Sequence, residues 1–597
     1  MDLPFETKEL LRRARLRWIA LIRRLAPTER QRLFALTIVI GGACGLAAVA
    51  FHVAIGYATR FAIGRAMAAH GFTLVAGTIA IPALGGLISG LLLQYVVPNA
   101  RGSGIPQVKI AYVLKGGVVP LGDAIGKFVV STLQIGTGAS LGREGPTVQI
   151  CAGIAAALGR LAGVSAPNLK RLLPVGAAAG IAAAFNAPIA AVTFTIEEIV
   201  GTLDQTVLSG VIVAAAVAAV VERSVLGGHP LFVFPQNQGV DGGWSLLLFA
   251  ALGVLAAGVS VVFNESLLRL RAWSRARKEL PPWTHPAFGG AITGILALTA
   301  LLVLKSGGIT GGGYETLSIA LTGGIGVKVL IALCVMKTIA TVCSYSSGGA
   351  GGIFAPSLFI GGMLGGAVGA LDMTLLHHPA STMGAFALVG MGAAFAGIVR
   401  APITSVLIII EMTSGYSLAL PLMIANMSAY ALARAIRPTS IYESLLEQDG
   451  YHLDDRGHAA STSDVPLKDM ILVQREFIWF PSLLGAGEML KQSSQPGRQE
   501  VFPVLDPDAR LVGIVTLEDM TTLASHQSTE GLVTAADVMR PATVLRPEDS
   551  IRTAFDAMVE NHVRELPVTD AESRVVGFVD ESAIARAFIG SRERAAN

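Results

Sequence analysis

Between about residue 32 and residue 436 the chain is a succession of apolar runs separated by short breaks bearing Gly, Pro or charge. RLFALTIVIGGACGLAAVAFHVAIGYA, FTLVAGTIAIPALGGLISGLLLQYVV, WSLLLFAALGVLAAGVSVVF and FGGAITGILALTALLVL each have about the 20 residues that a helix needs to cross ~30 Å of hydrocarbon. They predict transmembrane helices. Other apolar segments are too short, or too broken by Gly and Pro, to be simple spans. Irregular backbone at membrane depth is tolerated only where it is buried in protein or lines a cavity, so these predict half-helices around a transport path. After residue 436 the chain turns polar, and helical patterns alternate there with short strands such as GIVTL and GFVDE.

The pattern repeats itself. NAPIAAVTFTIEE (186–198) matches RAPITSVLIIIEM (400–412) at an offset of 214, and GREGP (142–146) faces GIFAP (352–356) at an offset of 210. Two ordered matches at nearly one offset predict an internal duplication, of the kind that transporters often invert across the membrane with the substrate site at the interface. In the polar tail VFPVLDPDARLVGIV (501–515) matches ELPVTDAESRVVGFV (565–579) without a gap at an offset of 64.

Composition agrees with a membrane protein: of 597 residues 52% are hydrophobic and 15% charged, and the mean hydropathy is +0.60. The 68 glycines suit helices that associate through close backbone approach in lipid. The net charge of +3 hides nine basic residues between Lys8 and Arg32. By the positive-inside rule they place the N-terminus in the cytoplasm, as a surface helix lying along the headgroups rather than a nucleic-acid-binding arm. A charged start and a long first apolar run argue against a cleavable signal peptide. Cys44, Cys151, Cys334 and Cys343 lie in apolar stretches without metal-ligand spacing and read as reduced packing residues. Nothing resembles a catalytic triad, a metal cluster or a P-loop, so no enzyme is expected.

A dehydrated anion in a membrane needs hydrogen-bond donors and partial positive charge, yet a full charge would hold it too tightly to release. Helix N-termini supply both requirements through unpaired N–H groups and the positive end of the macrodipole. Gly permits close backbone approach and Pro starts a helix without wasting a donor. RGSGIPQ (101–107), GREGP (142–146) and GGIFAP (351–356) carry that signature.

In this order and spacing, together with FNAPIAAVTFTIEE, the Tyr of RPTSIYESLL and the tail repeats, the three segments resemble the CLC family of chloride channels and chloride/proton antiporters. The tail resembles tandem CBS domains through its shared P-V-x-D and the Gly seven residues beyond the Asp. The fold expected is an all-α polytopic membrane protein with an inverted internal repeat, plus a cytoplasmic α/β CBS pair. Its expected parts are a basic helix (1–31), a transmembrane domain (32–445, repeats about 32–228 and 240–436), a linker (446–464), and the two CBS units (465–526 and 533–590).

The resemblance puts the anion site on the hydroxyl of Ser103, the backbone amides of Ile353 and Phe354, and the hydroxyl of Tyr442. Ser at position 103 goes with chloride preference. It makes Glu144 the gating carboxylate, a tethered anion that protonation releases, while Arg143 beside it supports the local fold or field. Aligning the two G-x-x-x-P motifs sets Phe354 opposite Glu144, so one repeat carries a titratable gate and the other an aromatic. Glu197 and Glu411 coincide in the repeat and read as a structural pair. Glu198 faces Met412, and the resemblance makes it the inner proton-transfer group, with a helix-end position open to cytoplasmic water. The family also implies a homodimer, with chloride and protons as the transported species; composition and the lack of a targeting segment suggest a prokaryotic inner membrane, and no nucleic-acid partner and no cofactor are expected. A passive voltage- or pH-gated chloride channel would share every anion motif and differ mainly at Glu198. In the first CBS unit Thr516 and Asp519 match a nucleotide-contacting Thr and Asp, whereas the second has Asp580 and Ala583 there, which leaves at most half a site for adenine nucleotide.

Overall fold

The computed structural model describes residues 29–584 except 202–204, 229–231, 233–242, 278, 376–381, 452–465, 471–476, 494–498, 526–532, 562 and 582–583. Most of the expected N-terminal basic helix, most of the expected linker, and Ala583 therefore lie outside the described residues. The chain divides into two compact units, residues 1–457 and 458–597.

The first unit is helical, and nine of its described helices are long and apolar enough to cross a membrane. Its first half contains α1 (Glu29–Thr59), α2 (Gly71–Tyr95), α3 (Ile105–Val113), α4 (Leu121–Gly136), α5 (Glu144–Leu161), α6 (Ala166–Phe185), α7 (Pro188–Phe194, prolonged by a π-helical turn Thr195–Val200) and α8 (Gln205–Leu226). The second half runs through α9 (Gly243–Ala276), α10 (His285–Val303), α11 (Tyr314–Leu321), α12 (Val327–Ser346), α13 (Phe354–Leu375), α14 (Thr382–Val399), α15 (Pro402–Thr413) and α16 (Ala419–Ile436). Helix for helix the order of long and short elements is the same. A further helix, α17 (Ile441–Gln448), follows and extends past residue 446, where the sequence places the start of the linker.

The halves meet about a two-fold relation that can be read bond by bond. Gly142 and Gly352, 210 residues apart, exchange both backbone hydrogen bonds at 2.7 Å as an antiparallel bridge. Ser140 N donates to Ser344 Oγ at 3.1 Å, and its counterpart Ala350 N donates to Gln134 Oε1 at 2.7 Å. Helices α6 and α14 end alike, on the left-handed residues Asn186 and Arg400, ahead of the prolines that start α7 and α15. Such reciprocity is what an inverted duplication requires. It extends to packing: α2 and α10 approach so closely that a Cβ on Gly86 would lie 2.1 Å from the Pro286 carbonyl oxygen, and one on Gly290 would lie 2.1 Å from that of Pro82. The four cysteines are free thiols, and Cys44 and Cys151 each point at the other's carbonyl oxygen.

In the second unit, strands β1 (Phe480–Pro481), β2 (Val501–Leu505) and β3 (Leu511–Thr516) form one sheet, and β4 (Glu565–Thr569) and β5 (Val575–Asp580) a hairpin. The β2–β3 and β4–β5 pairs share register and bulge: Val501 faces Thr516 as Glu565 faces Asp580, and the register shifts at Val504/Leu505 as it does at Val568/Thr569. The Glu565 carboxylate accepts from Glu500 N and Val501 N, tying the two copies together.

The α2–α10 contact predicts a sharp contrast between glycines. Gly86→Ala should lower stability by about 1–3 kcal/mol through overpacking, whereas Gly56→Ala, where a Cβ meets nothing within 4 Å, should be nearly neutral. Thermal unfolding of the two variants in detergent measures the difference.

Candidate functional site

The short and broken helices converge where the halves meet. Helices α5 and α13 both start at the Gly142–Gly352 bridge, and α3 starts against them: a Cβ on Gly145 would lie 2.2 Å from the Ser103 carbonyl oxygen and 3.4 Å from Gly352 Cα. No side chain fits there, so glycine at 145 lets three chain segments meet. Helices that begin in buried surroundings leave their first N–H groups without intrahelical partners, which concentrates donors and positive potential at one place.

Glu144, the first residue of α5, is buried at that place. Its Oε2 faces the Ala355 amide in the first turn of α13 at 3.4 Å, and its Oε1 accepts from the Tyr314 phenol at 2.6 Å. A carboxylate of one repeat thus sits on the helix start of the other. Arg143 donates to the Ala184 carbonyl at 3.3 Å. Phe354 is buried in an aromatic cluster, with its ring centroid 4.6 Å from Phe185 and 4.1 Å from Phe395. The two phenylalanines come from α6 and α14, one from each repeat.

Ser103 and Tyr442 are completely buried, and neither hydroxyl closes a hydrogen bond of good geometry among the described residues, although the Tyr345 phenol approaches Ser103. A buried hydroxyl without a partner loses its bonds to water for nothing, and two in one region point to a ligand that accepts from both. Tyr442 stands in the first turn of α17, which is fixed by a capping box between Ser440 and Glu443 and packs on α3, α9 and α14. It lies within electrostatic range of Glu144. The donors Ser103, Tyr442 and the start of α13 therefore share the neighbourhood of the carboxylate.

Glu198 lies on the π-helical turn after α7, within electrostatic range of Tyr442, and here the structure corrects the expectation of a water-facing helix end. Its carboxylate is buried and paired with the equally buried Lys109 of α3 at 3.1 Å. Lys109 in turn reaches Glu443 at 3.8 Å, and the Glu443 side chain is 38% exposed. A lysine thus stands between the buried carboxylate and the partly exposed one. Glu197 and Glu411 are not paired with each other. Glu197 accepts from the Ile403 and Thr404 amides at the start of α15, and Glu411 accepts from the Ile189 and Ala190 amides at the start of α7. Each repeat caps the other's half-helix, where a carboxylate also suits the macrodipole.

Sequence reasoning missed Lys109, Tyr314 and two repeat-related lysines. Lys127 Nζ donates to the Ala100 and Gly102 carbonyls before α3, and Lys337 Nζ to those of Gly308, Ile309 and Gly311 before α11. Their separation of 210 residues was the signal that could have found them.

In the second unit Thr516 and Asp519 are satisfied internally. Asp519 Oδ2 accepts from the Thr516 amide and hydroxyl at 2.9 and 2.7 Å, and Arg540 forks onto Oδ1. Partial burial alone raises the Asp519 carboxyl, but hydrogen bonds from Arg540 and Thr516 hold it below its ordinary value. This is the geometry of a capped helix start with an ion pair across it.

Residues 85–434 match the voltage gated chloride channel family and residues 535–590 match the CBS domain. A relative from Salmonella arizonae, the H(+)/Cl(-) exchange transporter ClcA, is 34% identical over 466 residues, covering 74% of this chain and 94% of its own length. Among solved structures, a slow cyanobacterial Cl-/H+ antiporter superimposes with a TM-score of 0.64 at 28% identity, covering 71% of this chain and 98% of that one. A eukaryotic CLC transporter, 20% identical, shares the fold with a TM-score of 0.61 over 94% of this chain and 98% of its own.

The Lys109–Glu198 pair predicts strong coupling. Lys109→Met strands a buried carboxylate and should cost about 3–5 kcal/mol, while Lys109→Met with Glu198→Gln should recover most of it. Unfolding of the single and double variants in detergent tests the pair; additive losses would mean that the two groups act independently.

Proposed function

The chain belongs to the voltage gated chloride channel family, and from that premise we propose that it exchanges chloride for protons across a bacterial inner membrane as a homodimer with one path per subunit. The observation that carries this reading is the Glu144 carboxylate lying between the starts of α5 and α13, where an anion would be held by the same amides. Chloride binds to the hydroxyls of Ser103 and Tyr442 and the amides of Ile353 and Phe354. Glu144 competes with it as a tethered anion, and a proton on Glu144 removes the charge and lets the side chain leave the path. One group then couples both substrates.

Protons reach Glu144 from the cytoplasmic side through Glu198. The pairing of Glu198 with Lys109 supports this role, because the buried carboxylate has a cationic partner within reach without facing water, and Glu443 beyond Lys109 offers a partly exposed point of entry. A passive channel needs no second buried carboxylate. The CBS pair takes no nucleotide in this reading, since the Asp519 carboxylate is already shared by Thr516 and Arg540.

Liposome assays separate antiporter from channel. An imposed chloride gradient should drive protons uphill through the wild-type protein. Glu144→Gln should keep chloride flux and lose proton movement and pH dependence, and Glu198→Gln should lose proton pumping with chloride flux largely intact. Wild-type protein that moves chloride but pumps no protons is a channel. For the CBS pair, millimolar ATP or AMP should leave the melting of the full-length protein unchanged; a rise in melting temperature that Asp519→Ala abolishes would establish nucleotide binding.

A further inference from the structure

One oxygen of the Glu144 carboxylate faces the start of α13, but the other is held by a side chain that the anion motifs do not include. The Tyr314 phenol donates to Oε1 at 2.6 Å. Tyr314 opens α11 and stands 210 residues beyond Gly104, the residue just ahead of α3, so the duplication turns a second short helix toward the same place. On one approach the helix start carries the hydroxyl of Ser103; on the other it carries the phenol of Tyr314. Behind this phenol lies a cavity of about 550 Å³, lined by Arg143, Glu315, Thr316, His52 and Arg60 as well as by Tyr314 itself. The phenol therefore stands between open space and the carboxylate.

The ring is well placed for this task. Its centroid lies 6.1 Å from that of Phe232 and 6.0 Å from the Arg143 guanidinium, so it is held from two sides. Among the described residues, Lys337 of α12 and Tyr442 of α17 lie within electrostatic range of Glu144, and Arg143, which precedes it in the chain, acts with it on Tyr314. Lys337 is committed to three carbonyls, Arg143 donates to Ala184, and the Tyr442 hydroxyl closes no hydrogen bond among the described residues. Among the described residues Tyr314 is the side-chain donor that bonds the carboxylate.

We propose that Tyr314 is the latch of the gate and an outer anion ligand: its hydroxyl holds the ionised Glu144 carboxylate in the path, and when a proton releases Glu144 the same hydroxyl donates to the incoming monovalent anion. This rests on the reading of Glu144 as the gate. A hydrogen bond to a charged acceptor is markedly stronger than one to a neutral acceptor, so the phenol favours the seated, ionised side chain over the protonated, departing one. Once Glu144 has left, a buried O–H donor remains pointed into the path, and an anion relieves the cost of leaving it unbonded.

The test is chloride flux against pH in liposomes for wild type, Tyr314→Phe, Glu144→Gln and the double variant. Removing the hydroxyl should let the gate protonate at lower proton concentration, moving the profile of Tyr314→Phe by about one pH unit toward the alkaline side. Its chloride-to-proton ratio should stay that of wild type. With Glu144→Gln the profile should be flat, with or without the tyrosine. Isothermal calorimetry with chloride in the Glu144→Ala background reads the second role without turnover: adding Tyr314→Phe should weaken binding by on the order of tenfold. A Tyr314→Phe profile that superimposes on wild type, or one shifted equally in the Glu144→Gln background, overturns the latch. Unchanged chloride affinity in the Glu144→Ala background overturns the ligand role. A wild-type pH profile in Glu144→Gln itself overturns the gate assignment and the latch with it, which distinguishes the two failures.

Discussion

Helices that begin inside a membrane protein must have their first amides met by something, and most of the centre of this molecule is arranged around that requirement. Water is excluded there, and each unmet donor is costly. Two answers occur side by side. At α7 and α15 the partner is a permanent carboxylate, Glu411 or Glu197, and the helix start becomes a structural joint. At α13 the partner is the side chain of Glu144, which has one long bond to the helix and a short one to a phenol. The same physics gives a rivet in one place and an exchangeable seat in the other, and what differs is whether the acceptor can be replaced by an anion.

The duplication explains how both answers can be held in place with little regular architecture between them. Gly142 and Gly352 fix the axis by exchanging backbone bonds, and Lys127 and Lys337 hold the irregular loops ahead of α3 and α11 by donating from Nζ to their carbonyls. A loop of bare carbonyls at membrane depth would otherwise be untenable. Departures from symmetry then carry the chemistry. Phe354 stands where the first repeat has Glu144, Met412 where it has Glu198, and Tyr314 where it has Gly104.

The sequence made helix starts legible because Gly and Pro are local signals, and α3, α5 and α13 begin within the three motifs. It made the repeat legible because equal offsets need no knowledge of contacts. It did not reveal Lys109 beside Glu198, since 89 residues separate them and no local pattern ties a lysine on one helix to a glutamate on another. For the same reason Glu198 read as water-facing: a position near a helix end says nothing of what packs over it. Glu197 and Glu411 were recognisable as equivalent structural carboxylates, but equivalence alone did not say what each of them caps. In an inverted pair, equivalents off the axis reach across to each other's neighbours. Tyr314 follows a glycine-rich stretch whose alignment with RGSGIP becomes evident only once α11 is seen to start there.

The crossed caps also bear on how the chain is made. Glu411 is translated 221 residues after Ala190, whose amide it accepts, and Thr404 is translated 207 residues after Glu197. The first half thus leaves the ribosome with one helix start lacking its acceptor and one carboxylate lacking its helix, both at a surface that the second half will cover. Neither half is a finished folding unit. Both ends close only when the second half arrives.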